Sequence, residues 1–202
     1  ISSEILLESG HKNMPSNSVH SVTLPGAVAL FDELAKKFGK LGLNDLCKEP
    51  IKYAEEGVAV SPRVSFDWHL SCDIFDSNAR NHYLINGKPP KPGEIFRAKG
   101  QAEVLRKISK DGAKGFYQSE VTEDLVNSLQ KLGGLHKMED FKNVSVEYVD
   151  PISSYLGDGS QLFELPPNGQ GITALMMKRL MEICRIDEFH EASFERIHLE
   201  AE

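Results

Sequence analysis

A short run between a predicted strand and a predicted helix has residue types that could contact a ligand. Asn168-Gly169-Gln170-Gly171 follows Pro166-Pro167, and backbone N–H groups at a strand-to-helix junction can cradle an anion. The run is not the dinucleotide-binding G-x-G-x-x-G, because position 174 is Ala, and no Gly-Lys-Ser/Thr follows to make a P-loop. A sharp turn explains the glycines about as well. The sequence leaves open a structural turn or a substrate-binding pocket edge formed by Asn168, Gly169, Gln170 and Gly171.

Other reactive side chains form only incomplete motifs. His190-Glu191 matches the first half of the zinc-binding H-E-x-x-H helix, but position 194 is Phe, so the second ligand on that helix face is missing. The sequence contains no G-x-S-x-G nucleophile motif, and neither His82 nor His136 has a context that marks it as the base of a triad. We expect both histidines on loops or on the surface. The residues alone give no complete catalytic constellation, and they predict no metal and no cofactor.

The composition is that of a globular chain with an acidic surface. The 202 residues carry 23 basic and 30 acidic side chains, a net charge of -7, which argues against general affinity for nucleic acid or anionic membranes. No apolar run approaches the roughly 18 residues of a membrane span, and residues 1–20 lack a signal-peptide pattern. Cytoplasmic and periplasmic locations both stay open. Cys47, Cys72 and Cys184 have neither zinc-site nor disulfide spacing, so we expect buried free thiols.

The elements that would position these residues are mostly helical up to residue 142. Residues 1–20 are polar without periodicity and predict an extended or mobile N-terminal segment. Apolar residues at helical spacing predict five helices. These run from Ala27 to Phe38, from about Asn44 to Glu56, from Ser61 toward Ser77, from near Gln101 to Asp111, and from about Ser119 to Leu129. Pro50 should kink the second or break it into two pieces. Residues 78–99 are predicted to form a long loop.

The remainder of the chain predicts a hairpin followed by helices. Residues 144–148 alternate apolar and polar side chains, Gly157-Asp158-Gly159 is a hairpin-type turn, and residues 161–165 form the return strand. Helical patterns follow over 170–202, the first with a long apolar face. The sequence therefore predicts an α+β chain with helical residues 27–142, a hairpin over 144–165 and helical residues 170–202. We treat residues 21–202 as one partial domain of a longer precursor.

Ordered segments along the chain resemble the gamma-glutamyltranspeptidase family. The similarity starts at Ser21 and continues to the end of the sequence. The segments are Ser21-Val22-Thr23-Leu24-Pro25-Gly26-Ala27-Val28-Ala29, Phe38-Gly39-Lys40-Leu41, Pro50-Ile51 with Ala54-Glu55-Glu56-Gly57, Val60-Ser61-Pro62-Arg63, Pro92-Gly93-Glu94-Ile95-Phe96-Arg97, Gly112-Ala113-Lys114-Gly115-Phe116-Tyr117, Leu132-Gly133-Gly134-Leu135, Glu139-Asp140-Phe141, Glu164-Leu165-Pro166-Pro167-Asn168-Gly169-Gln170-Gly171 and His198-Leu199-Glu200-Ala201. Several ordered segments make the resemblance specific in a way that no single one does.

The resemblance implies an N-terminal-nucleophile hydrolase with a four-layer α/β/β/α sandwich. In such enzymes a precursor cleaves itself, and the threonine freed at the start of the small subunit attacks an amide carbonyl. We expect that threonine beyond Glu202 and the substrate-binding arginine before Ile1, so Arg63 and Arg97 do not take that role. The chain then resembles an internal large-subunit segment that is inactive alone and whose partner is the small subunit of the same precursor. Exposed apolar faces would also allow oligomers.

The loop sequence bears on the substrate. Its Asn-Gly-Gln-Gly form is more similar to amidohydrolase-like and acylase-like members than to the Pro-Pro-Pro-Ser-Ser-Gly-Gly form of the well-known transpeptidases. The resemblance therefore implies gamma-glutamyl transfer or hydrolysis, with another small carboxylated amide as the alternative substrate. A third possibility is that the segment acts as a structural or interaction module without catalysis.

Overall fold

A computed structural model describes residues 3–167 and 169–202. The chain forms two compact units, of which the first ends at Val146 and the second runs from Glu147 to Glu202. The described residues contain helices and two small antiparallel sheets, as an α+β chain requires. No helix in this described part is long and apolar enough to cross a membrane.

Helices dominate the first unit. In chain order these are α1 (Ser3–Glu8), α2 (Ala27–Phe38), α3 (Leu43–Leu46), α4 (Lys48–Glu56), α5 (Pro62–Ser71), α6 (Ser77–Tyr83), α7 (Lys99–Asp111), α8 (Lys114–Tyr117), α9 (Glu120–Lys131) and α10 (Met138–Lys142). Two short strands, β1 (Val58–Ala59) and β2 (Ile95–Phe96), pair with each other antiparallel. Helix α7 packs on α3, α4 and α8, and ion pairs join Arg106 to Glu55 of α4 and Lys107 to Glu120 of α9.

The helix signals in the sequence act as predicted at several points. The helical stretch around Pro50 is broken into α3 and α4 at Cys47, and Pro50 lies in the first turn of α4, where its missing N–H does no harm. Ser61 caps α5 by accepting a hydrogen bond from the Val64 N–H at 3.3 Å. Ser119 caps α9 in the same way through the Val121 N–H.

Two stretches of the first unit differ from the sequence-based prediction. Residues 1–20 were expected to be extended, but α1 forms over Ser3–Glu8 and buries Leu6. The predicted loop 78–99 contains most of α6, which Asp76 caps through the Ala79 N–H at 2.7 Å. It also contains β2, whose two residues are too few to give a periodic signal. In each case an element of fewer than eight residues is held by a local cap or by tertiary packing.

A buried carboxylate ties α2 to the turn between α7 and α8. Asp32 is 7% exposed and accepts hydrogen bonds from the Ala113 N–H at 3.0 Å and from Lys36 Nζ at 2.7 Å. Gly112 in this turn has φ +62°, and a Cβ there would lie 3.0 Å from both Asp32 carboxylate oxygens. The turn therefore needs glycine for its backbone conformation and for space. Burial raises the pKa of Asp32, but the hydrogen bonds from Lys36 and Ala113 outweigh it, so that the pKa is lowered overall.

A buried tyrosine makes a second tie between the same helices. The Tyr117 hydroxyl donates to the Pro25 carbonyl at 2.6 Å and accepts from the Ala29 N–H at 3.2 Å. Burial raises the pKa of this phenol. The Tyr117 ring packs with Val126 of α9 and Phe141 of α10 in the core of the unit. The N-terminus of α2, which has no side-chain cap of its own, is thus held by the core.

The second unit is a hairpin with helices. Strands β3 (Ile152–Tyr155) and β4 (Gln161–Glu164) pair antiparallel, from Ile152 opposite Glu164 to Tyr155 opposite Gln161. Helix α11 (Gly171–Ile183) packs on both strands. A single 3-10 turn over Ile186–Glu188 and α12 (Phe194–Ala201) complete the unit and replace the continuous helix predicted over residues 187–202.

The hairpin begins later than the sequence predicts. Residues 144–148 alternate in polarity as a strand does, yet they are irregular in the structure. The turn register sets this limit, because strand residues before Pro151 would have to pair with Pro166 and with the start of α11. Proline lacks the N–H that a ladder needs. Pro151 and Pro166 therefore end the ladder, and the alternation in residues 144–148 finds no partner strand in the described part of the chain.

The cysteines match the prediction only in part. Cys47, Cys72 and Cys184 are free thiols. Cys47 and Cys72 are buried, but Cys184, at the end of α11, is exposed, so the expectation of a buried thiol is wrong there.

Removing the negative charge of Asp32 tests the tie between α2 and the α7–α8 turn. We expect Asp32→Asn to lower the free energy of unfolding by about 1–2 kcal/mol at pH 7, since two hydrogen bonds to a buried carboxylate are weakened. Because the folded pKa is lowered, the stabilisation is present above the ordinary aspartate range and is lost below about pH 4. Urea titrations of both proteins between pH 7 and pH 3 measure this difference.

Asp45→Asn is the matched control, because Asp45 forms an exposed ion pair with Lys48. It should change stability by less than about 0.5 kcal/mol. Equal effects of the two substitutions, or an Asp32→Asn effect that does not change with pH, would contradict the assignment.

The glycine at the start of α11 gives a second test. A Cβ on Gly171 would lie 2.7 Å from Glu164 Cβ and 2.9 Å from the Leu165 carbonyl oxygen, whereas one on Gly169 would meet no atom within 4 Å. We expect Gly171→Ala to destabilise the protein by about 1–3 kcal/mol, because α11 must move away from β4. Gly169→Ala should be neutral to within about 0.5 kcal/mol. Thermal unfolding of both variants checks this, and matching melting temperatures would refute the close approach.

Candidate functional site

The predicted pocket-edge loop lies between β4 and α11 in the second unit. Gly169, Gln170 and Gly171 are described, whereas Asn168 lies outside the described residues. Gln170 is the residue before the first turn of α11, and its carbonyl accepts from the Ala174 N–H at 3.1 Å. The loop is therefore fixed on one side by the strand ladder and on the other by the helix.

The side chain of Gln170 is oriented by its neighbour in the helix. The Thr173 hydroxyl donates to Gln170 Oε1 at 2.9 Å. This bond fixes which amide atom faces the helix, and it leaves the Nε2 group as a hydrogen-bond donor with no partner among the described residues. Gln170 is exposed. The loop thus presents a neutral amide donor, which suits a carbonyl or a carboxylate oxygen.

The helix end beside the loop is not an open anion cradle. No side chain caps α11, and free backbone N–H groups at a helix N-terminus favour negative charge. However, Glu164 Oε2 lies only 3.1 Å from where a Cβ of Gly171 would stand. This carboxylate already supplies a negative charge at the first turn of the helix. An incoming carboxylate would be repelled there, so recognition by the loop depends on Gln170 more than on the helix dipole.

The other sequence candidates have structural contacts. His190 Nδ1 accepts from the Ala192 N–H at 3.2 Å, which closes the turn before α12. Arg63 pairs with Asp67 within α5, and His136 Nε2 contacts the Val22 carbonyl at 2.8 Å in the first unit. Among the described residues, no group of three His, Cys, Asp or Glu side chains is placed to hold a metal ion.

One cavity of the first unit involves residues that the sequence does not bring together. It has a volume of about 550 Å³, and His20, Thr23, Leu24, Leu135 and His136 are among its lining residues. The two histidines are more than a hundred positions apart, and no motif links them. Sequence analysis places His136 on a loop or the surface, but in the structure its Nδ1 atom is buried.

Comparison with known proteins places the chain. The sequence profile of the family described as Gamma-glutamyltranspeptidase matches residues 1–202. A relative named glutathione hydrolase-like YwrD proenzyme, from Bacillus subtilis, is 30% identical over 193 residues, which are 94% of this chain and 37% of the relative. The Bacillus anthracis capsule biosynthesis protein CapD proenzyme is 30% identical over 88% of this chain and 33% of its own length. The chain thus spans about a third of these curated relatives.

Solved structures give the same answer. The gamma-glutamyltranspeptidase of Helicobacter pylori superposes with a TM-score of 0.85 at 26% identity, covering 95% of this chain and 56% of that one. A cephalosporin acylase from Bacillus halodurans superposes with a TM-score of 0.85 at 29% identity, covering 98% and 38%. The family comprises enzymes that transfer or hydrolyse gamma-glutamyl groups. Sequence profile, relatives and fold agree, and the chain belongs to the gamma-glutamyltranspeptidase family.

Proposed function

We propose that residues 1–202 belong to the large subunit of an N-terminal-nucleophile hydrolase that transfers or hydrolyses a gamma-glutamyl group. The observation that carries the proposal is the family match over residues 1–202. In this reaction a threonine hydroxyl, activated by its own α-amine, attacks the amide carbonyl. The amine leaves, and the resulting acyl-enzyme is resolved by water or by an acceptor amine.

The nucleophile in this proposal lies outside residues 1–202. The chain has three threonines, and each would need a backbone cut before it to gain a free α-amine. Thr122 is fully buried in α9, and its hydroxyl donates to the Phe116 carbonyl at 2.7 Å. Thr173 lies in the first turn of α11 and donates to Gln170. Thr23 is exposed, so it is the threonine that an experiment has to exclude.

The parent protein in this proposal is a precursor whose small subunit is the partner of this chain. The two curated relatives described above are named proenzymes, and the chain spans about a third of their length. Helix α11 supports a missing partner, because four apolar residues on one face are each at least 42% exposed: Ile172, Met176, Leu180 and Ile183. A stripe of this kind usually marks an interface. In the proposed four-layer α/β/β/α sandwich, this chain supplies helices and a hairpin.

A small-amide acylase is the second candidate function. The structural likeness to the Bacillus halodurans cephalosporin acylase favours it, as does the Asn-Gly-Gln-Gly form of the loop. A gamma-glutamyl anilide and a glutaryl anilide differ only in the α-amino group, so their kcat/KM ratio in the precursor separates the two functions. Preference for the glutaryl compound would favour the acylase.

Activity measurements on three proteins test the missing nucleophile. We expect no release of aniline from a gamma-glutamyl anilide by chain 1–202 above background, and turnover by the precursor and by its Thr23→Ala variant alike. Turnover by chain 1–202 that survives repurification and that Thr23→Ala abolishes would overturn the assignment.

Kinetics of a loop variant test the pocket edge. In the precursor, we expect Gln170→Ala to raise KM about 3- to 10-fold with kcat little changed, the loss of one hydrogen bond to substrate. Gln161→Ala is the matched control, since Gln161 is an exposed amide on β4 that bonds Ser153 across the hairpin. An unchanged KM for Gln170→Ala would leave the loop as a turn without a substrate contact.

A further inference from the structure

An extended segment of the first unit runs along one wall of the 550 Å³ cavity. We call the cavity with this wall the strand groove, bounded by Ser21–Leu24 on one side and Leu135–His136 on the other. Val22 has φ -78° and ψ 116°, which is extended backbone. Leu24 precedes Pro25, and a residue before proline is biased to the extended region. The segment has the conformation of a strand without a neighbouring strand.

The backbone of this segment is unpaired. The N–H groups of Thr23 and Leu24 make no hydrogen bond within the described part of the chain. Val22 and Leu24 are 42% and 39% exposed although both are apolar. Unpaired backbone groups beside exposed apolar side chains form a template for pairing with another strand.

Two imidazole nitrogens at the same place lack partners. His136 Nε2 lies 2.8 Å from the Val22 carbonyl, and because a carbonyl only accepts, Nε2 carries the proton. Nδ1 of the neutral ring is then an acceptor. This atom and His20 Nδ1 are both buried without a hydrogen-bond partner. Buried polar atoms in native proteins nearly always have a partner. A hydrogen-bond donor is therefore missing beside the groove.

We propose that the strand groove accepts an extended apolar β-strand, which pairs with the backbone of Thr23 and Leu24. One apolar side chain of that strand fills the cavity, and its N–H groups supply the donors missing at the two histidines. The strand belongs to the remainder of the precursor, and in this respect the inference rests on the proposed function.

Chain length favours this occupant over a second copy of the chain. The curated relatives are about three times as long as the matched segment, so a precursor of that kind has strands to offer. A second copy would bring only its own Ser21–Leu24, which lies between a 3-10 turn at Val19–Ser21 and Pro25. That pairing makes a short two-stranded ribbon, which is marginal in water.

Hydrogen–deuterium exchange at single amides tests the pairing. We expect the Thr23 and Leu24 amides to exchange at least 10-fold more slowly in the precursor than in chain 1–202. The Gly87 amide, in an exposed turn of the same unit, should exchange equally in both. Equal exchange of Thr23 and Leu24 in the two proteins overturns the proposal. Protection that grows with the concentration of chain 1–202 also overturns it, in favour of self-pairing.

A proline substitution separates strand pairing from other effects. Thr23→Pro removes a donor that is unpaired in chain 1–202, so we expect its melting temperature there to match that of Thr23→Ala within about 2 °C. In the precursor, Thr23→Pro should melt at least 5 °C below Thr23→Ala, because only proline removes the inter-strand hydrogen bond. Equal melting temperatures in the precursor, or the same loss in both proteins, contradict the proposal.

The outcome is independent of the catalytic assignment. A precursor that hydrolyses gamma-glutamyl anilide while Thr23 and Leu24 exchange freely would refute the strand pairing alone. A precursor that protects both amides and hydrolyses no amide would refute the proposed function alone.

Discussion

The buried carboxylate of Asp32 is the interaction on which the first unit depends. It joins α2 to the Gly112-Ala113 turn, and that turn leads into α8, where Tyr117 enters the core. Tyr117 in turn holds the Pro25 carbonyl. Two ties from one turn of the chain therefore fix the start and the middle of α2. They also fix where the extended segment before Pro25 must run, so the strand groove is a consequence of this packing.

The extent to which sequence predicts this structure follows from the range of the interactions. Local signals predict well, since the Ser61 and Ser119 caps and the break before Pro50 depend on residues within one turn. Long-range pairings predict poorly. The alternation at residues 144–148 has no partner strand in the described part, and prolines at 151 and 166 end the ladder instead. The bond between His136 and Val22 crosses more than a hundred residues, and nothing in either segment announces it.

The loop before α11 shows the same division. Two glycines between strand and helix predict a sharp turn, and the contact of Gly171 with Glu164 gives the physical reason for one of them. The sequence could not show that the Glu164 carboxylate stands at the helix end, nor that Thr173 orients the Gln170 amide. These two contacts change the expected chemistry from an anion cradle to a neutral donor. The family resemblance contributed what spacing could not, because it rests on the order of many short segments.

The central claim is that this chain works as one part of a self-cleaved precursor whose nucleophile lies elsewhere in the polypeptide. The intact mass and N-terminal sequence of the native product in its source cells test it most directly. The account predicts two chains whose masses sum to a much longer precursor, with threonine at the start of the smaller. A single species near 22.5 kDa would contradict it, and a structural or interaction role would take its place.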